Sequence, residues 1–182
     1  MVNGLQSTPD SQSLRNPLRR SLTHLESIMK TSFAAVSLPK SGVLVLLIAD
    51  GAALTGLAAA ADQRCGGQIA RAIKAAGFTG RKDSTLDVVA PGGGLTRAVL
   101  FGLGAAASLK PLELEMLGGA IAGVLQSFKA ESAAIAVDAE IGKLPAREVA
   151  ALIASGANLR VYSFNQYKSK KPEAKPLNDI TL

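Results

Sequence analysis

The sequence has no tryptophan, a single cysteine, a single histidine and few aromatics of any kind, which make up 4% of its 182 residues. With Cys65 alone no internal disulfide can form, and a reducing compartment fits. Cys65 and His24 cannot build a Cys/His zinc site without borrowed carboxylates. A thiol or serine nucleophile would need His24 as its base, and nothing in the sequence brings that residue to Cys65. Both read as structural, Cys65 a small core filler and His24 a helix-surface residue. No run approaches the ~20 apolar residues of a membrane span. The longest, "GVLVLLIA" at 42–49, has strand length. The N-terminus lacks the apolar stretch of a signal peptide, so the expectation is a soluble, cytoplasmic protein.

What is there instead is aliphatic. Hydrophobic residues form 48% of the chain, so the core must be built from Ala, Val, Leu and Ile. The length suits one domain plus tails. The net charge of +6 sits mainly at the ends. Residues 1–29 carry +1 and residues 160–182 carry +3, leaving only +2 for the long middle. In "YKSKKPEAK", Lys168, Lys170 and Lys171 are candidate phosphate contacts for a nucleic acid, with Tyr167 available to stack. Pro172 within this stretch and Pro176 just after it favour a solvated linker.

Periodicity organises the rest. Leu14, Leu18, Leu22, Leu25 and Ile28 recur at helical spacing, predicting an amphipathic helix over 14–28 within an N-terminal extension, 1–28. Its Arg- and Ser-rich character resembles a transit peptide; alternatively, Met29 is the natural start. "TSFAAVSL" (31–38) and "VLVLLIA" (43–49) predict two strands joined by a short turn, an antiparallel or mixed start to a sheet. Helices follow over 62–76, 111–128 and 145–164, and further strands over 85–90, 97–103, 133–138 and in "LNDITL". In the last helix Val149, Leu152, Ile153 and Leu159 are expected inward. Gly118, Gly119 and Gly123 are expected to let the 111–128 helix approach a neighbour closely. This alternation predicts an α/β domain over 29–165, with helices on both faces of a mixed sheet, followed by a basic linker and closing strand over 166–182.

Two glycine-rich stretches are the candidate ligand loops. In "GLG", Gly102 and Gly104 supply two glycines of a dinucleotide fingerprint, but Ala107 stands where the third is needed. "ASLKP" lacks the Gly-Lys-Ser/Thr of a P-loop. Gly92, Gly93 and Gly94 could wrap a phosphate or simply turn a hairpin. Structure is the favoured reading of both, and no carboxylate pair is framed for acid–base work.

"SGVLVLLIADG", "ARAIKAAGFTGRKDSTLDVVAP", "AVLFGLG" and "LRVYSFNQYKSKKP", in that order, resemble the N-terminal domain of the leucyl aminopeptidase (cytosol aminopeptidase) family over about residues 30–182. The resemblance implies a three-layer α/β/α sandwich like a macro domain, preceding a larger catalytic domain with two divalent metals, zinc, manganese or magnesium. Those metals would activate water for hydrolysis of an N-terminal peptide bond. It further implies a hexamer with N-terminal domains at the periphery, aiding assembly. The family segments "NTDAEGRL" and "GKGITFDSGG" are absent here, so no catalytic residue or metal ligand can be placed on this chain. The expectation is an inactive, non-catalytic domain leading into a catalytic domain beyond Leu182. A freestanding module binding ADP-ribose or another nucleotide through Gly92–Gly94 and Gly102–Gly104, or nucleic acid through the lysines, is the alternative.

Overall fold

A computed structural model describes residues 29–35, 37–51, 54–162 and 177–182. The expected 14–28 helix, with His24, lies outside the described residues, as do Tyr167, Lys168, Lys170 and Lys171.

Strand β2 (Gly42–Ala49) owes its central place to a run that is apolar on both faces. Leu44, Leu46 and Ile48 enter one core, while Val43, Val45 and Leu47 face the other. Strand β4 (Leu95–Gly104) repeats the pattern, with Ala98 and Leu100 on the first side and Val99, Phe101 and Leu103 on the second. Around this pair stand β1 (Lys30–Ser32), β3 (Thr85–Gly92), β5 (Ser132–Ala136) and β6 (Asp179–Thr181). The sheet order is β1-β6-β5-β2-β4-β3, parallel throughout except for the β3–β4 hairpin.

Helices α1 (Gly56–Arg64) and α2 (Gln68–Ala76) cover one face. Helices α3 (Pro111–Ser127) and α4 (Ala146–Val161) cover the other, completing three layers. Pro111 opens α3 at a position whose amide would be unpaired in any case. The two helices meet almost backbone to backbone. A Cβ on Gly118 would fall 2.0 Å from the Ile153 carbonyl oxygen, and one on Gly156 would fall 1.8 Å from that of Glu115.

Three local expectations need correction. The opening strand is only Lys30–Ser32, and it does not pair with β2 but lies parallel to β6 at the far edge. The antiparallel pair is β3–β4 instead. The 62–76 helix is two helices, because Gly66 and Gly67 both take left-handed backbone (φ 63° and 77°) and break the ladder. Leu159 is 71% exposed rather than inward. The buried face of α4 runs through Val149, Ile153 and Ala157, and Leu159 falls on another flank at 3.6 residues per turn.

Candidate functional site

In an open α/β sheet, ligands enter where the strand order reverses, outside the carboxyl ends of the strands. Here that point lies at the end of β2, between β4 and β5. A cavity of about 130 Å³ sits there, lined by Thr55, Ala58, Leu103, Ala136, Asp138 and Ile141 among others. The first turn of α1 opens onto it, and free amides at a helix start attract anions.

The anion present is the chain's own. Asp138, just past β5, accepts a hydrogen bond from the Leu57 N–H at 2.5 Å. Gly56 makes the approach feasible, since a Cβ there would lie 2.0 Å from Asp138 Oδ2. A carboxylate thus takes the place that the fold offers to a phosphate oxygen.

The glycines flagged in the sequence lie at opposite ends of β4, a ten-residue strand that spans about 30 Å. They do not converge on one ligand. At the carboxyl end both amides are engaged, Gly102 N–H donating to Ser84 O at 2.8 Å and Gly104 N–H to Gly80 O at 2.9 Å. A Cβ on Gly102 would sit 2.0 Å from the Arg81 carbonyl oxygen, so this glycine serves close packing of the 80–84 loop. At the amino end Gly93 and Gly94, both with positive φ, form the two-residue loop of the β3–β4 hairpin beyond the Gly92–Leu95 pair.

Two further groups were missed in the sequence. Glu113 receives the Lys110 N–H at 2.9 Å and pairs with Lys82, tying the loop before β3 to the start of α3. Lys82 and the Lys110 amide hold the Glu113 carboxyl below the usual carboxylate range, and Glu113 in turn raises Lys82. The spacing Lys110-x-x-Glu113 before an apolar run was the signal for the capping contact, but nothing local points to Lys82. Cys65 is buried, as expected of a core filler, and burial pushes its thiol up.

Among the described residues no three His, Cys, Asp or Glu side chains converge, so they do not fit a two-metal centre. Among them, too, no helix is long and apolar enough to cross a membrane. A second cavity, about 640 Å³ and lined largely by apolar groups including Phe33, Ala134, Ala136 and Leu182, lies over β5 and β6.

Comparison with known proteins places this arrangement. A family model described as the N-terminal domain of the cytosol aminopeptidase family matches residues 45–171. A probable cytosol aminopeptidase of Rhodopseudomonas palustris (strain BisB5) is 36% identical over 145 residues, covering 79% of this chain and 28% of that protein. One from Sinorhizobium medicae (strain WSM419) is 40% identical over 146 residues, with 80% and 28% covered. Among solved structures, a tomato leucine aminopeptidase mutant superposes with a TM-score of 0.65 at 24% identity, covering 86% of this chain and 33% of that one. The macrodomain of Mycobacterium tuberculosis DarG gives 0.54 at 15% identity, covering 84% of this chain and 97% of that one. At such identities these two establish the shared fold. The chain spans about 28% of the length of the curated relatives it matches, and it belongs to the cytosol aminopeptidase family, whose N-terminal domain it carries.

Proposed function

We propose that this domain is the non-catalytic N-terminal part of a metal-dependent leucyl aminopeptidase, where it positions the catalytic domain and supports subunit assembly. The parent enzyme would release N-terminal amino acids from peptides in the cytoplasm. Two divalent ions, manganese, zinc or magnesium, would be held by residues outside this chain, and the assembly would be a homohexamer.

The observation that carries this reading is one of length. Relatives named as cytosol aminopeptidases are over three times as long as the segment they share with this chain. The described residues offer no converging metal ligands of their own. The capped α1 start, closed by Asp138, favours a scaffold over a nucleotide receptor.

Side-by-side assays test it. The complete gene product and this chain are purified with manganese and given a leucyl dipeptide, and assembly is followed by light scattering. Leucine release by the complete protein alone, in a six-subunit particle, is the expected outcome. Hydrolysis by this chain, free of contaminating peptidases, would overturn it.

A further inference from the structure

Arg64 closes α1, and two of its donors, Nε and Nη2, are shielded from solvent without meeting an acceptor among the described residues. These N–H groups lie side by side along one edge of the guanidinium. That edge matches two oxygens of a carboxylate or phosphate. A shielded charged donor without an acceptor costs free energy until one arrives. The residue as a whole is only partly buried.

Its surroundings supply no counter-ion among the described side chains. Asp62, the nearest acid in sequence, accepts the Ala70 N–H at 2.9 Å. The β3–β4 hairpin packs directly on Arg64, since a Cβ at Gly93 would lie 3.0 Å from the Arg64 carbonyl oxygen and 3.2 Å from its Cγ. Cys65 Sγ donates to Gly92 O at 3.5 Å and ties the hairpin to the end of α1. The loop amides of Gly93 and Gly94 stand outside the strand pairing, which closes at Gly92 and Leu95. Arg64 and the tip of the hairpin therefore share one corner, far along β4 from the Asp138 crevice.

We propose that the Arg64 edge, beside the β3–β4 hairpin, receives a small oxyanion, a carboxylate or a phosphate, with two of its oxygens on Nε and Nη2. This corner is independent of the peptidase reading.

Titration with inorganic phosphate, and separately with acetate, against chloride at matched ionic strength tests the proposal. The readouts are the Arg64 Nε–H resonance and the thermal midpoint. A saturable resonance shift is expected, with a midpoint rise of about 3–6 °C at tenfold excess over the dissociation constant. Arg64→Met loses the response. Arg64→Lys keeps the charge but not the paired edge, and loses most of it. Response to both ions means any bidentate oxyanion is accepted; response to one identifies the preferred source. No saturable response to either ion, or an undiminished response in Arg64→Lys, overturns the proposal.

Discussion

Asp138 and Leu57 lie 81 positions apart in the chain, yet the carboxylate of one receives the amide of the other at 2.5 Å. This contact fastens the end of β5 to the start of α1 across the point where the strand order reverses. Thr55, the residue at the helix boundary, makes no side-chain cap of its own, so the cap is supplied from a distance. Removing it by Asp138→Ala should cost about 1 kcal/mol, as for other lost caps. Gly56→Ala should cost more, about 1–3 kcal/mol, because its φ of 52° disfavours a side chain and the new Cβ collides with Asp138. Urea unfolding of both variants checks the order. Equal stability of Asp138→Ala and wild type would show that the contact contributes nothing.

The α3–α4 crossing offers a sharper contrast. Gly118→Ala and Gly156→Ala each drive a methyl group into a backbone carbonyl that cannot swing aside, and should lose about 2–3 kcal/mol as the helices part. Gly119→Ala lies on the same helix, but its Cβ would meet its nearest neighbour at 3.6 Å. It should gain about 0.5–1 kcal/mol from helix propensity alone. Thermal midpoints moving in opposite directions for Gly118→Ala and Gly119→Ala would confirm that the glycines differ in role. A loss of similar size in both would refute it.

Much of this fold was legible because its signals are local. The unbroken apolar run of β2 and the proline-led, periodic α3 are set by nearest neighbours. Helix α1 was not, since "GLAAAADQR" has a run of alanines in place of an apolar stripe, and only Ala58 and Ala61 are buried on it. Strand β1 was placed wrongly for a related reason. Its three residues acquire a partner only when β6, at the other end of the sequence, arrives beside them. The candidate site was less readable still. Glycine clusters announced loops, but whether they packed against carbonyls or faced open space depended on residues brought near by the fold. No spacing rule joins Asp138 to Leu57.

The Lys82–Glu113 pair predicts a pH dependence at both extremes. The folded carboxyl is held low, so its stabilising effect is present above its ordinary pKa and fades as acid reaches the lowered value. The folded ammonium is held high, so its share is complete below its ordinary pKa and is lost as alkali passes the raised value. The stability difference between wild type and Glu113→Gln should therefore be flat from about pH 5 to pH 10 and shrink outside that window. Glutamine can still accept the Lys110 N–H, which isolates the charge. A difference that persisted unchanged at pH 2–3 would assign the effect to something other than the ion pair.

The family match ends at residue 171, but the sheet does not. Strand β6 lies between β1 and β5, pairing with both. Leu177 and Ile180 are fully buried in the core beneath α3 and α4. Without this strand, β1 has no neighbour in the sheet and the amides and carbonyls along one side of β5 face an empty slot. Ile180→Ala should cost about 2–5 kcal/mol, the usual range for a truncated core side chain. A chain ending at Tyr162 should lose cooperative thermal unfolding altogether, because it gives up a ladder on each side as well as two core residues. Circular dichroism melting of the two variants distinguishes these degrees of damage. A sharp, wild-type-like transition in the shortened chain would mean that β6 is an ornament on a sheet already complete, and that the core is closed by something other than Leu177 and Ile180.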